Sequence, residues 1–454
     1  MTRFTFPKDF TWGSASSSYQ IEGAWNADGK GPSIWDTFTH QPGRIRNEEN
    51  GDISIDHYHL WKQDIHLMAD LGFKTYRFST SWPRIFPEGT GKTNPKGVAF
   101  YDRLIDELLK RKIEPWLCLY HWDLPQALQD KGGWPSRSIT GWFSEYAAFM
   151  AQKFGDRVKY WITHNEPAVT AAVGYLLGEH PPGIKDPLSA IKTLHHLLLS
   201  HGMAYQAIHS NSKKPVKVGI VLNVSPAYPA TDSKKDLEAA SRFDLLNNRS
   251  FLEPLLLGQS PVTEIKLVKT LLGSTLQPGD LDQINHLDFL GVNYYSRTVV
   301  KHDFKTPVLE LAQVHPPGSE YSGMWEIFPE GLFELLTSIW KRYGASAPND
   351  HPFPELYLTE NGIPVPDGLD FDGRIRDERR IRYLHDHIFQ LQRAIQAGVP
   401  VKGYFVWTLL DNFEWAYGYE MRYGLVHVDF KTQKRTVQES GYWFSRVMLN
   451  NALD

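Results

Sequence analysis

The sequence predicts a single (β/α)8 barrel, or TIM barrel, that spans residues 1–454 as one domain. Eight apolar runs of strand length alternate with eight segments of helical periodicity, which is the count of such a barrel. The runs are apolar almost throughout, as expected for parallel strands that are buried on both faces. No repeat, low-complexity tract or linker interrupts the alternation, and barrels of this class commonly reach about 250 residues or more as one domain.

The predicted elements follow from local periodicity. Tyr101, Leu104, Ile105, Leu108 and Leu109, for example, form the apolar stripe of an amphipathic helix. The predicted strands begin with a short strand within residues 10–20 and continue with residues 73–79, 113–120, 160–166, 216–224, 289–295, 356–362 and 403–410. The predicted helices comprise residues 55–71, 101–109, 142–154, 187–210, 235–257, 328–343, 379–397 and 442–449.

The chain is longer than a minimal barrel, and we place the excess in long loops at residues 25–52, 228–236, 301–325 and 413–436. Loops at the carboxyl ends of barrel strands build the active site in this fold. These insertions are therefore expected to deepen the site into a pocket.

Composition excludes several classes of function. The net charge of −4 provides no basic face for nucleic acid or an anionic membrane. The sequence has no long apolar run and its N-terminus has no signal-peptide core, so a cytoplasmic location is expected. Cys118 is the only cysteine, which excludes an intramolecular disulfide and predicts a buried, inert thiol. Aromatic residues make up 13% of the chain and suit the faces of sugars, although most are expected to fill the core.

Two strands end in a carboxylate. Glu166 follows the apolar run of the fourth strand, and Pro167 pushes it out of the α region, so the strand should stop there. Glu360 ends the seventh strand, and Gly362 frees the chain to turn. Two carboxylates at the ends of buried strands are the equipment of a glycosidase, in which one acid protonates the leaving group and the other attacks or activates water.

Three further residues are predicted to support Glu360. Arg77 lies in an apolar strand, and a buried guanidinium needs a carboxylate, for which Glu360 is the best partner. Tyr295 can donate its phenol to the same acid, and Asn293 in the sixth strand is expected to act with them. The alternatives are a salt bridge at the bottom of the barrel for Arg77 and a core aromatic for Tyr295.

Several other polar and aromatic residues lie at predicted strand ends or in the long loops. Asn165 precedes Glu166, and because side chains alternate along a strand, both can face one ligand only if the strand bulges there. A lone histidine such as His121 is more often structural than a ligand, but it directly follows a strand. The candidates for substrate binding are Gln20, His121, Asn165, Tyr295, Trp325, Trp407, Glu414 and Trp415.

The sequence gives no reason to expect a cofactor or a metal. The close histidine pairs at 57/59, 195/196 and 385/387 are not followed by a third ligand at metal-binding spacing. No phosphate-binding or dinucleotide-binding glycine motif opens any βα unit.

The segments Thr163-His164-Asn165-Glu166-Pro167 and Thr359-Glu360-Asn361-Gly362 resemble those of glycoside hydrolase family 1, the β-glucosidase family. The resemblance covers essentially the whole chain, from residues 10–23 through Tyr76-Arg77-Phe78-Ser79 to residues 422–429. His164 departs from the pattern, because the family usually carries an apolar residue there. Its side chain is expected to point away from Glu166.

The resemblance implies a role for each candidate. Glu166 is the general acid/base and Glu360 the nucleophile of a retaining double displacement, which requires carboxyl groups about 5–5.5 Å apart. The substrate-binding candidates hold the non-reducing sugar, with Trp407 beneath it and Trp325 at the aglycone side. Glu414 would accept hydrogen bonds from the 4- and 6-hydroxyls and would repel a phosphate. Family members that act on 6-phosphorylated sugars replace this glutamate and carry a lysine near Met421, which this chain does not.

The sequence thus predicts a retaining β-glucosidase with β-galactosidase and β-fucosidase side activities. The expected substrates are cellobiose, aryl and alkyl β-glucosides and short cello-oligosaccharides, and a homo-oligomer is compatible with the sequence. One alternative is a transglycosylase that uses the same intermediate. The other is a non-catalytic sugar-binding protein, which the presence of both Glu166 and Glu360 disfavours.

Overall fold

A computed structural model of the chain contains the predicted (β/α)8 barrel. Its eight strands form a closed, all-parallel barrel in which each strand pairs with its sequence neighbours and β8 pairs with β1. The strands are β1 (Thr11–Ala15), β2 (Thr75–Ser79), β3 (Glu114–Tyr120), β4 (Tyr160–Asn165), β5 (Lys217–Asn223), β6 (Phe289–Asn293), β7 (Glu355–Asn361) and β8 (Val401–Trp407). The structure describes residues 4–261, 269–270, 273, 275–306, 309–345, 347, 352–366 and 368–453.

In the part of the chain that the structure describes, eight principal helices accompany the strands in the predicted order. They are α1 (His57–Asp70), α2 (Pro95–Lys110), α3 (Ser138–Phe154), α4 (Pro187–Asn211), α5 (Lys234–Phe243), α6 (Glu330–Ile339), α7 (Glu378–Gln396) and α8 (Glu439–Asn450). Two predicted helices are not uniform. The helix predicted over 235–257 is interrupted by a π-helical segment, Asp244–Arg249, before Ser250–Leu257, and α6 continues as the π-helical segment Trp340–Gly344.

The long loops contain small sheets and short helices of their own. Ala227–Pro229, Thr298–His302 and Leu311–Gln313 form a three-stranded sheet. Two-stranded sheets join Tyr321–Ser322 to Trp325–Glu326 and Val426–Val428 to Arg435–Val437. The short helices and helical turns are Ser18–Ile21, Ala27–Gly29, Ile34–Thr39, Arg46–Glu48, Trp82–Ile85, Gln126–Gln129, Pro167–Val169, Thr170–Leu177, Asp280–Ile284 and Trp415–Tyr417.

Apolar side chains fill the inside of the barrel, and a larger core lies between the barrel and its helices. The inner cluster comprises Trp116, Cys118, Ile162, Val221, Phe289, Tyr357 and Phe405. The predicted burial of Cys118 is confirmed, and burial raises the pKa of its thiol to about 12, which keeps it protonated. Within the described ranges, no helix is long and apolar enough to cross a membrane.

Candidate active site

The carboxyl end of β4 presents Glu166 in an unusual conformation. The strand ends at Asn165, and Glu166 adopts φ 49° and ψ 62°, in the left-handed region, before Pro167 begins a short helix. The prediction that Glu166 lies outside the right-handed helical region is therefore confirmed. A residue other than glycine with a positive φ is uncommon, and such conformations cluster at functional sites. The Glu166 N–H donates to Val221 O at 2.8 Å, which ties this turn to β5.

Two partners hold the carboxylate of Glu360. Arg77 donates from Nη1 to Oε1 in a buried ion pair, and the Tyr295 hydroxyl donates to Oε2 at 2.6 Å. Both contacts agree with the predictions for these residues. Arg77 is fully buried and its Nη2 donates to Asn165 Oδ1 at 2.5 Å, so it links the ends of β2, β4 and β7. The alternative of a salt bridge at the bottom of the barrel is therefore wrong.

Asn293 contacts the other carboxylate, which differs from the expectation that it supports Glu360. Its Nδ2 donates to Glu166 Oε1 at 2.6 Å and to Asn165 Oδ1 at 3.2 Å. The Thr359 hydroxyl donates to Asn293 Oδ1 at 2.9 Å, which fixes the orientation of the amide. The β6–β7 register places Asn293 beside Glu360, but its side chain reaches across to β4.

The two carboxylates therefore have different electrostatic surroundings. Burial, reinforced by the negative charge of Glu360, raises the pKa of Glu166 to about 8, while the Asn293 amide and Arg77 oppose the shift. Glu166 is thus protonated at neutral pH and can donate a proton, whereas Glu360 accepts hydrogen bonds from the Arg77 guanidinium and the Tyr295 phenol. Acid-assisted displacement requires one carboxyl group that donates a proton and a second that attacks as a carboxylate.

A second cluster of hydrogen-bonded groups surrounds Gln20. Its Nε2 donates to Phe413 O at 2.8 Å and to Glu414 Oε2 at 3.2 Å, and the Ser17 hydroxyl donates to its Oε1 at 2.7 Å. Desolvation and the charges of Glu360 and Glu166 raise the pKa of Glu414 to about 8. The structure therefore brings together Gln20, in the short helix after β1, and Glu414, in the loop after β8.

His121 lies beside the β4 end. Asn165 Nδ2 donates to His121 Nε2 at 3.0 Å, and burial lowers the pKa of His121 well below its usual range, so the ring is neutral. Its Nδ1 then carries the proton, and this buried donor has no partner within the described part of the chain. A buried donor of this kind suits a ligand hydroxyl.

Aromatic rings complete the site. Trp415 packs against Trp122 with ring centroids 4.5 Å apart, and His121 lies 5.9 Å from the rings of both Trp407 and Trp415. Trp325 stacks on Tyr295 at 5.1 Å and an angle of 14° between the ring planes, so it is coupled to the residue that holds Glu360. These contacts connect all the candidate site residues except Gln20 and Glu414, which contact each other, and Glu414 directly precedes Trp415 in the chain.

This arrangement can be compared with known proteins. The sequence matches the family model described as glycosyl hydrolase family 1 over residues 2–453. The chain belongs to glycosyl hydrolase family 1. It is 47% identical to beta-glucosidase A of Thermotoga maritima and 46% identical to a 1,4-beta-D-glucan glucohydrolase of Thermotoga neapolitana, in each case over 99% of both chains. The structure of the Thermotoga maritima beta-glucosidase in complex with galacto-hydroximolactam is similar with a TM-score of 0.92 and 46% identity, over 99% of this chain and 100% of that one.

Three residues of this family 1 site were not predicted from the sequence. Trp122 donates from Nε1 to Asn165 O at 2.9 Å, Thr359 orients Asn293, and the Tyr423 hydroxyl accepts from Trp325 Nε1 at 2.8 Å. Tyr423 lies within the motif at residues 422–429, which offered a signal. Across the described ranges, no three His, Cys, Asp or Glu side chains are grouped so that they could hold a metal ion.

Proposed function

We propose that this family 1 hydrolase is a retaining β-glucosidase that releases terminal, non-reducing β-D-glucosyl residues. The observation that carries the proposal is the contrast between Glu166, which burial keeps protonated, and Glu360, which is paired with Arg77 and Tyr295. A retaining mechanism needs these two states in one site, with the carboxyl groups about 5–5.5 Å apart.

In the first step, Glu360 attacks the anomeric carbon of the glucoside while Glu166 donates its proton to the departing oxygen. Proton donation by a positioned acid contributes about 10²–10⁴ to the rate, most for leaving groups that are poor on their own. Asn165 is oriented by Arg77 and His121, and in this proposal its amide contacts the 2-hydroxyl, where hydrogen bonds strengthen in the transition state.

In the second step, water hydrolyses the glucosyl ester of Glu360. Esterification removes the negative charge that raises the pKa of Glu166, so this pKa falls and Glu166 can take a proton from the attacking water. Arg77 and Tyr295 then stabilise Glu360 as it leaves as a carboxylate. The same acid group therefore serves both steps because its neighbour changes charge.

Glucose specificity is proposed to come from Gln20 and Glu414, which would bind the 4- and 6-hydroxyls. Two relatives support the substrate range. The name of the Thermotoga neapolitana enzyme indicates 1,4-linked glucans, and the ligand of the Thermotoga maritima structure has the galacto configuration. We accordingly include cellobiose, short cello-oligosaccharides, and aryl and alkyl β-glucosides as substrates, with β-galactoside and β-fucoside cleavage as side activities.

Initial rates on p-nitrophenyl β-glycosides of glucose, galactose, fucose, mannose and 6-phosphoglucose test the proposal, with Glu360→Ala as the control. Dominant turnover of the glucoside and fucoside, abolished in the variant, is the expected result. Dominant turnover of the 6-phosphate, or activity that survives the substitution, would contradict it. Proton NMR of the first product should show the β-anomer, and transfer products at high donor concentration would instead indicate a transglycosylase.

A further inference from the structure

The end of β4 departs from the regular alternation of a strand. Tyr160 and Ile162 pack inside the barrel and Trp161 packs in the outer core. A regular strand would then turn His164 inward and Asn165 outward. Instead, Thr163 and His164 both contact α4, and Asn165 and Glu166 both face the site.

The cause is a bulge in the ladder between β4 and β5. Residues 160–162 pair with residues 217–219, but Asn165 pairs with Val221, so Thr163 and His164 together oppose the single residue Ile220. The ladder between β3 and β4 stays regular on the other side. The extra residue on β4 therefore reverses the direction in which the side chains point, just before Asn165 and Glu166. A bulge at the rim of a barrel can do this.

We propose that Thr163 and His201 are positioning residues that hold this bulge and thereby aim Glu166 at the leaving-group oxygen. The inference rests on the proposed glucosidase function and deepens it. Thr163 Oγ1 lies 2.8 Å from His201 Nδ1, and His201 Nε2 lies 2.7 Å from His286 O. Burial lowers the pKa of His201 to about 4, so the ring is neutral. A carbonyl only accepts, so Nε2 carries the proton and Nδ1 accepts from the Thr163 hydroxyl, which also lies 3.4 Å from Gly219 O.

A second contact, between the neighbouring residues His164 and Ser200, supports the bulge. Ser200 donates its hydroxyl to Leu197 O at 2.9 Å, so its oxygen accepts from His164 Nε2 at 2.9 Å. The His164 ring also stacks on Phe143 of α3 with ring centroids 4.4 Å apart. Two consecutive residues of β4 are thus fastened to two consecutive residues of α4, all of them buried. The expectation that His164 points away from Glu166 is confirmed.

Thr163→Val tests the bond, because it keeps the shape of the side chain and removes the donor. In kcat/KM, which reports the steps up to release of the leaving group, a misaimed Glu166 should matter only where that group needs a proton. We expect kcat/KM for phenyl β-glucoside to fall about 10- to 100-fold, the scale of small displacements in an active site. For 2,4-dinitrophenyl β-glucoside, whose leaving group needs no protonation, the loss should stay below about threefold. Thr163→Ser, which retains the hydroxyl, should restore the ratio of the two rates.

Thr80→Val is a matched control. Thr80 follows β2, and its buried hydroxyl bonds to Tyr146 on α3 at 2.7 Å, so it is also a contact between a strand end and an outer helix. This variant should leave the ratio of the two rates unchanged even if its melting temperature falls.

Equal losses on both substrates in Thr163→Val, or no loss on either, would overturn the inference. If the valine variant does not fold, Thr163→Ala makes the same prediction with less steric risk. The proposed function is judged separately by wild-type turnover of phenyl β-glucoside and its loss in Glu360→Ala. No wild-type turnover would overturn both proposals, whereas normal turnover with an unchanged ratio in the Thr163 variants would overturn only this one.

Discussion

Glu166 is expected to set the alkaline limit of activity. Its raised pKa of about 8 means that it is a competent acid below that pH and loses its proton above it. For a single titration at this pKa, the protonated fraction falls from about 0.9 at pH 7 to about 0.1 at pH 9. Values of kcat/KM report the free enzyme, so kcat/KM for phenyl β-glucoside should drop about tenfold over this interval.

Glu414 complicates this limit, because desolvation and the two catalytic carboxylates raise its pKa to about 8 as well. The leaving group separates the two residues. The contribution of Glu166 should vanish for 2,4-dinitrophenyl β-glucoside, whereas a contribution of Glu414 to sugar binding should remain for both substrates. Parallel profiles from pH 5 to 10, with Glu166→Gln as a reference that lacks the acid, provide the measurement. Identical alkaline limbs for the two substrates would refute the assignment of this limb to Glu166.

Three further predictions concern the two partners of Glu360 and the buried Glu414. Tyr295→Phe should lower kcat on p-nitrophenyl β-glucoside by about 10- to 100-fold, because a hydrogen bond to a charged group contributes about 1.5–3 kcal/mol; an unchanged kcat would contradict this. Arg77→Met leaves the buried Glu360 charge without its cation and should lower the free energy of unfolding in urea by about 3–5 kcal/mol, so unchanged stability argues against the pairing. Folding raises the pKa of Glu414, so its contribution to stability is complete below about pH 4.5 and is lost as the pH rises through about 8. The melting temperature of Glu414→Gln should therefore decline less steeply over that range than that of the wild type. An equally steep decline in both proteins would contradict this.

The fold and the catalytic pair were predictable because particular residues mark where the strands end. The apolar run before Glu166 and the proline after it indicated a strand that stops at an acid, and Gly362 gave the same signal beside Glu360. An added Cβ at Gly362 would lie 1.8 Å from Trp407 O, so glycine is required where β7 passes β8. The partner of Arg77 was also predictable, because a buried guanidinium in an apolar strand demands a carboxylate.

Contacts that depend on register between strands were not predictable. Asn293 is paired with Glu360 along the ladder, yet its amide reaches Glu166, because both β4 and β7 shift register near their ends. The need for a bulge beside Asn165 was visible in the sequence, but the bond between Thr163 and His201 was not. These residues are 38 positions apart and meet only when α4 packs on the barrel.

The role of Glu360 can be tested by covalent labelling with 2,4-dinitrophenyl 2-deoxy-2-fluoro-β-glucoside. Because this reagent accumulates the glycosyl ester of a retaining enzyme, mass spectrometry should show one added fluoroglucosyl group. Digestion should place it on Glu360. No label, or a label on any other residue, would contradict the assignment of Glu360 as the nucleophile of a double displacement.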